Sequence, residues 1–144
     1  PHVVYCDKVD PAGDSAPRAF RMRLDAHSCA LGKAMLAHKS YDELKEIYKS
    51  YSLHKHTSNT ITSLDKLYNE LRKIKNTGYS INEAETFDYV YGIGAAIIDS
   101  QKRAIAAISI SGTKGSINVK TIPLLAKKVL ETSSKISSKL SNES

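Results

Sequence analysis

The sequence predicts an α+β fold in which helices pack against an antiparallel sheet. Segments rich in β-branched and aromatic residues lie near both ends of the chain, and apolar residues at helical spacing fill the middle. Because the strands cluster at the two ends and do not alternate with helices, a simple parallel βαβ arrangement is excluded. A chain of 144 residues is expected to form one domain, residues 1–144, with a substantial hydrophobic core.

The N-terminal part is predicted to contain two strands and a first helix. Residues 2–9 have the composition of a strand, and residues 18–24 alternate between two faces after the turn-rich stretch 10–17. A helix is expected from about Ser28 to His38.

Two helices are predicted for the middle of the chain. Ser40 and Glu43 have the spacing of a capping box, which starts a helix. Its apolar face is expected to contain Leu44, Ile47, Tyr48 and Tyr51. After a polar link, apolar residues recur at helical spacing from Leu64 to Ile74, with Thr62 as the expected N-cap and Gly78 as the C-terminal stop.

The C-terminal part is predicted to form a β-hairpin and a long helix. A short extended piece at residues 78–82 precedes two strands, 89–99 and 103–112, which a short polar turn joins into an antiparallel hairpin. The last helix is expected from about Ile122 to Leu140, with Pro123 in its first turn. Its buried stripe is expected to contain Leu125, Val129, Ile136 and Leu140.

The net charge of +6 does not by itself indicate nucleic-acid binding. The charge is spread evenly along the chain, whereas a nucleic-acid surface normally concentrates it in a patch or stripe. The local cluster of Arg18, Arg21 and Arg23 is more typical of a solvated strand edge, although such arginines could steer an anion. A direct nucleic-acid binder that uses these arginines stays as an alternative.

Location and length give two further expectations. The sequence has neither a signal peptide nor an apolar stretch of the roughly 20 residues that a membrane span needs. Two cysteines in a chain of this size do not form a disulfide framework, so we expect a cytoplasmic protein without a membrane partner. The chain begins at a proline with residues that already have strand character, which suggests a piece of a longer protein.

Enzymatic chemistry is not predicted. Cys29 and His27 could form half of a cysteine nucleophile pair, but residues two apart on a helix do not face each other and no orienting group is apparent. A buried structural thiol is the preferred interpretation, and a small enzyme using Cys29 stays as an alternative. His54 and His56 alone do not make a zinc site, so we expect neither a metal nor a cofactor.

A binding site for a small anion is the preferred functional interpretation. Ser109 and Ser111 alternate on a strand and therefore point to the same face, which is either a binding face or simply exposed to solvent. The first turn of the helix after Ser28 offers backbone N–H groups at Ala30 and Leu31, beside small side chains that let an anion approach. Serine hydroxyls opposite such a helix end suit a carboxylate ligand.

The chain resembles the C-terminal effector-binding domain of the IclR family of bacterial transcription regulators. The resemblance covers nearly the whole chain, and the matching pieces keep their order and spacing. They are "VVYCDKV", "HSCALGKAMLA", "NTIT", "LYNELRKIKNTGYS", Glu85, "AAIID" and "AAISISG". The family signature also continues through Gly78, Asn82, Glu85 and Gly92, although Asn82 and Gly92 depart from its usual acid or serine and its usual cysteine-like residue.

The resemblance implies a GAF-like fold, with an antiparallel sheet, helices packed against it and a ligand pocket on one side. It implies a winged helix-turn-helix domain N-terminal to this chain, DNA contact through that domain alone, and a homodimer or homotetramer. It also implies that the effector is a small carboxylate such as glyoxylate, pyruvate, a sugar acid or an aromatic acid. The pocket would use the backbone of Ala30 and Leu31, the side chain of Asn82, the space at Gly92, and the hydroxyls of Ser109 and Ser111.

The two departures predict the kind of ligand. Asn82 removes a charge that would repel an anion and can both donate and accept hydrogen bonds. Gly92 removes a side chain and enlarges the pocket. We therefore expect an anionic ligand larger than a two-carbon acid.

Overall fold

The computed structural model describes residues 1–9 and 22–142 and has the predicted α+β architecture. The elements, in chain order, are β1 (His2–Val4), β2 (Arg23–Asp25), a 3-10 turn (Ala26–Ser28), α1 (Ala30–Leu36), α2 (Tyr41–Tyr48), α3 (Leu64–Thr77), β3 (Ser80–Glu83), β4 (Tyr91–Ile98), β5 (Ala104–Gly112) and α4 (Ile122–Asn142). Strands β1 and β2 form a two-stranded antiparallel sheet, and β3, β4 and β5 form a three-stranded antiparallel sheet with β4 in the centre.

The three-stranded sheet has a helix on each face. On one face, Ile93 and Ala95 of β4 pack against Ala126 and Val129 of α4, with Ile117 closing this cluster. On the other face, α1 lies close to β4, and the Ser80 hydroxyl donates a hydrogen bond to the Ala30 carbonyl at 2.6 Å. This second face therefore carries the N-terminal end of α1.

A second core holds the helical middle of the chain together. Its buried residues come from the 3-10 turn and from α1, α2 and α3, with Ala37 just beyond α1. They are Ala26, Leu36, Ala37, Leu44, Leu67, Leu71 and Ile74. This core positions α1 independently of its contact with the sheet.

The predicted helix signals are confirmed with one change. The Ser40 hydroxyl accepts from the Glu43 N–H at 3.2 Å, and the Glu43 carboxylate accepts from the Ser40 N–H at 2.7 Å, so the capping box is formed. Gly78 ends α3 in the left-handed region with φ 84°, which glycine adopts at little energetic cost. The N-cap of α3 is Ser63 and not Thr62, since Ser63 is the extended residue directly before the helix and its hydroxyl accepts from the Lys66 N–H.

Several expected boundaries and buried positions are wrong. The helix expected from Ser28 begins at Ala30, because Ala26–Ser28 form the 3-10 turn and Cys29 is extended. Strand β1 ends at Val4 and not at residue 9. Tyr51 is exposed because α2 ends at Tyr48.

The buried stripe of α4 also differs from the expected one. Ala126 and Ser133 are buried with Val129, whereas Leu140 is exposed. The N–H of Ile98, the last residue of β4, donates to the Ser137 hydroxyl, so Leu140 lies past the end of the sheet that α4 covers.

Two predictions remain, one on the arginine cluster and one on membrane-spanning helices. Arg18 and Arg21 lie outside the described residues, while Arg23 is exposed on β2. Within the described residues, none of the helices combines the length and apolar character needed to cross a membrane.

Candidate functional site

The predicted binding residues of β3, β4 and β5 lie side by side on the sheet face that carries α1. Asn82 pairs with Gly92, and Gly92 pairs with Ser111, so these residues form one row across the three strands. A second row lies two positions further along each strand, on the same face. It consists of Ser80, Gly94 and Ser109. The register therefore brings together strand residues that are far apart in sequence.

The first turn of α1 covers part of these rows. A Cβ atom at Gly92 would lie 3.5 Å from Ala30 Cβ and 3.6 Å from Ser111 Oγ, which are ordinary contact distances. A Cβ atom at Gly94 would lie only 2.8 Å from Ala30 O. Gly94 therefore permits the close approach of α1, whereas a Cβ atom at Gly92 would fit in ordinary van der Waals contact with its neighbours.

The Asn82 side chain is oriented by the turn that follows β3. Its Oδ1 accepts a hydrogen bond from the backbone N–H of Glu85 at 2.9 Å. This bond assigns Oδ1 as the internal acceptor and leaves the two N–H donors of Nδ2 for other partners. Asn82 therefore acts as a hydrogen-bond donor toward anything bound on this face.

The two serine hydroxyls are unpaired donors on the same face. Ser109 is half-buried and Ser111 is exposed. Neither hydroxyl makes a hydrogen bond to another group in residues 1–9 or 22–142, in contrast to Ser80, whose hydroxyl is fully used by Ala30 O and Gly94 O. Ser109 and Ser111 can therefore donate to a ligand without breaking an internal bond.

Ala30 and Leu31 are the first two residues of α1. The first intrahelical bond runs from the Lys33 N–H to the Cys29 carbonyl, so the N–H groups before Lys33 are not used by the helix ladder. Ala30 is buried against the sheet and Leu31 beside it is half-buried.

The loop between α2 and α3 holds the turn after β3 in place, a role that the sequence does not indicate. Thr57 Oγ1 donates to Ala84 O at 2.7 Å, and Thr60 Oγ1 donates to Glu85 O at 2.6 Å. Asn59 Nδ2 also donates to Glu83 O. The "NTIT" piece of the family resemblance belongs to this loop, and its polar side chains fix the backbone that carries Asn82.

A buried ion pair joins α1 to the same turn. Lys33 Nζ donates to Glu85 Oε1 at 2.7 Å and to Ile81 O at 2.6 Å, and Glu70 Oε1 lies 3.8 Å away. Burial raises the pKa of Glu85 above its usual value, and the nearby Lys33 ammonium opposes this shift. The lysine and the glutamate of the family pieces are therefore structural partners.

Cys29 and His27 do not form a catalytic pair. Burial raises the pKa of the Cys29 thiol to about 11, which is the opposite of an activated nucleophile. His27 Nε2 is committed to the carbonyl of His54 at 3.0 Å. This geometry supports the structural interpretation of Cys29.

A groove of about 480 Å³ lies away from the predicted site. Its walls come from the C-terminal ends of α1 and α3, from the end of β4 and from α4, with His38, Gly78, Ala96 and Ser134 among the lining residues. None of the predicted site residues lines this groove.

The comparisons with known proteins give the family. The family model described as bacterial transcriptional regulator IclR C-terminal matches residues 1–138. The chain is 31% identical to the HTH-type transcriptional repressor AllR of Klebsiella pneumoniae over 118 residues, which are 82% of this chain and 43% of AllR.

Solved structures agree with this assignment. The crystal structure of the Thermotoga maritima IclR has a TM-score of 0.86 and 35% identity, covering 96% of this chain and 55% of that one. The inducer-binding domain of PobR from Acinetobacter shares the fold at a TM-score of 0.75 and 21% identity, covering 88% of this chain and 75% of that one.

The chain spans about half the length of the relatives it matches. Those relatives are transcription regulators and not enzymes, in agreement with the expectation of a regulator. With a family model that covers residues 1–138, the chain belongs to the IclR family of bacterial transcriptional regulators and corresponds to their C-terminal domain.

Proposed function

We propose that this domain binds a small anionic metabolite on the sheet face beneath α1. In the whole protein, binding regulates DNA contact by a winged helix-turn-helix domain that precedes this one. The protein acts in the cytoplasm as a homodimer or homotetramer.

The observation that carries the proposal is the set of unpaired donors on one sheet face. The hydroxyls of Ser109 and Ser111 and the Nδ2 amide of Asn82 share this face, and the backbone N–H groups of Ala30 and Leu31 border it. A carboxylate accepts several hydrogen bonds and has no proton to give, so a cluster of donors matches its chemistry.

The positions 82 and 92 support a ligand larger than a two-carbon acid. Asn82 places a neutral donor where a carboxylate would repel an anion, and Gly92 lacks a side chain next to Ala30 and Ser111, where a Cβ atom would make only ordinary contacts. In a protein of the same fold, the PobR inducer-binding domain, the solved complex contains 3-hydroxybenzoic acid. A sugar acid or an aromatic acid is therefore the class that we propose.

A thermal-shift screen of this chain against aromatic acids, sugar acids and glyoxylate tests the size and charge of the ligand. We expect stabilisation by an acid of more than two carbons, and an effect of glyoxylate alone would contradict the size argument. The double variant Ser109→Ala/Ser111→Ala should lose the ligand-induced shift and keep the melting temperature of the free domain. The matched control, Ser134→Ala, removes a hydroxyl from the groove at the far end of the sheet and should bind as the unchanged chain does.

Asn82→Asp tests the donor role separately. One carboxylate oxygen can keep the hydrogen bond from the Glu85 N–H, so the fold should persist. The other oxygen replaces two donors by a charged acceptor, and the affinity for an anion should fall by about tenfold or more. Equal or tighter binding of the anion by Asn82→Asp would place the ligand away from this residue.

The regulatory step requires the full-length protein. A gel shift should show DNA binding by the full-length regulator that changes when the effector is added. This chain alone should give no shift, and a shift with it would favour direct DNA contact by this domain.

A further inference from the structure

A second cluster of polar side chains shares no residue with the proposed effector face. Asp25 ends β2, His27 lies in the 3-10 turn, and His56 comes from the loop between α2 and α3. One carboxylate oxygen and one ring nitrogen from each histidine lie within 4.8 Å of one another. From the sequence, His54 and His56 alone do not make a metal site and no metal is expected, whereas the fold brings His56 together with Asp25 and His27.

A hydrogen bond to the backbone orients the His27 ring. Its Nε2 lies 3.0 Å from the His54 carbonyl oxygen, which can only accept, so Nε2 carries the proton. In the neutral ring, Nδ1 then has the lone pair. Metal-binding histidines commonly donate their other ring N–H to a backbone carbonyl in this way, which fixes both tautomer and orientation.

Asp25 and His56 are already in contact. His56 Nε2 lies 2.8 Å from Asp25 Oδ2, and the His56 ring stacks on that of His27 with centroids 6.2 Å apart. His2 Nε2 lies 3.1 Å from the other carboxylate oxygen, Oδ1. The carboxylate therefore has imidazole nitrogen on both sides.

We propose that Asp25, His27 and His56 form a binding site for a divalent transition-metal ion. Two imidazoles and one carboxylate are the donor set that Zn²⁺, Co²⁺, Ni²⁺ and Cu²⁺ accept, and Mg²⁺ and Ca²⁺ disfavour. Ligand atoms around a tetrahedral Zn²⁺ lie about 3.3 Å apart, so binding requires His56 Nε2 and Asp25 Oδ2, which are 2.8 Å apart, to separate slightly, while no pair in the cluster exceeds 4.8 Å. Coordination through His56 Nε2 transfers its proton to Nδ1 or to solvent.

Metal binding at this position joins two segments that are distant in sequence, residues 25–28 and the loop before α3. The first of these runs from the end of β2 through the 3-10 turn that leads into α1. Three protein ligands leave a fourth position, which water or the nearby His2 ring can occupy. The ring of Tyr48 packs edge-on against His27, and its buried hydroxyl has no hydrogen-bond partner in the described part of the chain. The site stands whether or not the proposed effector binds.

The test is a titration of the metal-free chain with ZnCl₂, in which binding is measured by calorimetry and by the rise in melting temperature. We expect saturation at one Zn²⁺ per chain. His56→Gln should weaken Zn²⁺ binding by ~100-fold or more, since even the loss of a supporting partner of a metal ligand costs 10- to 100-fold. Asp25→Asn should weaken it in the same direction.

His54→Gln is the matched control. It keeps the backbone carbonyl that orients His27 and removes only a ring that lies outside the cluster, so Zn²⁺ affinity should not change. Circular dichroism of each metal-free variant checks that it folds, and X-ray absorption of the Zn²⁺-loaded chain should show nitrogen and oxygen ligands with imidazole scattering.

Three results would overturn the proposal. One is Zn²⁺ affinity in folded His56→Gln equal to that of the unchanged chain. Another is sulfur in the first coordination sphere, which would assign the metal to Cys6 or Cys29. The third is the absence of saturable binding, which would make the cluster an ion-pair network only.

Discussion

The buried pair Lys33–Glu85 allows a quantitative test of the structure. Lys33 is 1% exposed, and its ammonium contacts Glu85 Oε1 at 2.7 Å and Ile81 O at 2.6 Å. Removing one partner of a buried ion pair leaves the other charge without compensation, which costs about 3–5 kcal/mol. Because Glu70 remains 3.8 Å from the lysine, we expect Glu85→Gln to fall at the lower end, near 3 kcal/mol.

Lys33→Met should cost a pH-dependent amount. The variant leaves Glu85 buried without its cation, and burial already raises the pKa of this carboxyl in the native protein. A carboxyl with a raised folded-state pKa stabilises the fold below its unfolded pKa and loses that contribution as pH rises through the folded value. The loss of stability relative to the unchanged chain should therefore be larger at about pH 8 than at about pH 5.

Urea unfolding followed by circular dichroism measures these differences. A loss near 3 kcal/mol corresponds to a fall of about 10 °C in melting temperature for a domain of this size. The double variant Lys33→Met/Glu85→Gln should be more stable than the sum of the two single changes predicts, because it removes both charges. Lys127→Met is the control, since Lys127 and Glu131 are exposed and 4.0 Å apart, and its effect should stay within about 0.5 kcal/mol. A Lys33→Met effect no larger than that of Lys127→Met would refute the buried-pair geometry.

Three further predictions concern the two glycines of β4, a helix cap and the thiols. Gly94→Ala should lower the free energy of unfolding in urea by about 1–3 kcal/mol, because its Cβ would lie 2.8 Å from the backbone of α1. Gly92→Ala should change this free energy by less than about 1 kcal/mol, since its Cβ would make only ordinary contacts. Equal losses for the two variants would contradict this difference between the glycines. The backbone hydrogen bond at the N-cap of α2 lowers the pKa of Glu43, so its contribution is present above the unfolded pKa and lost as pH falls through the folded value. Glu43→Gln should therefore lower the melting temperature at about pH 7 and have little effect at about pH 3, and a constant difference across this range would exclude the carboxylate as the cause. Burial raises the pKa of the Cys29 thiol to about 11. At neutral pH, Cys29 should therefore react with iodoacetamide at least ~10-fold more slowly than exposed Cys6, which peptide mass spectrometry can measure. Equal rates would show that Cys29 is a reactive thiol.

The parts of the fold that depend on local chemistry could be predicted from the sequence. The capping box of Ser40 and Glu43 and the left-handed stop at Gly78 involve residues within one or two turns of each other. The β4–β5 hairpin follows from two apolar strands joined by a short polar turn. Helix boundaries were less accurate, because the extended Cys29 separates a 3-10 turn from α1 and no residue signals this break.

The contacts between distant segments could not be predicted. Ser80 has no special sequence context, yet its hydroxyl anchors the carbonyl of Ala30, 50 residues away in sequence. The same limit applies to the Asp25–His27–His56 cluster, because periodicity reports which face a residue occupies and not which other segment meets that face. The alternation of Ser109 and Ser111 predicted a shared face, whereas the register with Gly92 and Gly94 had to come from the structure.

The signature residues of the family fall into two groups, those that the internal contacts of the domain require and those that these contacts leave open to change. A Cβ at Gly32 would lie 2.2 Å from Ala26 O, so this glycine lets the 3-10 turn pack on α1, and Lys33 joins α1 to Glu85. These residues build the scaffold for any ligand. Asn82 is different, because the hydrogen bond that holds it uses only Oδ1, which an aspartate would also supply. At Gly92 a Cβ atom would likewise make only ordinary contacts. Under the proposed function, positions 82 and 92 set the ligand chemistry, so the signature identifies the family while the ligand class has to be argued from the two positions that depart from it.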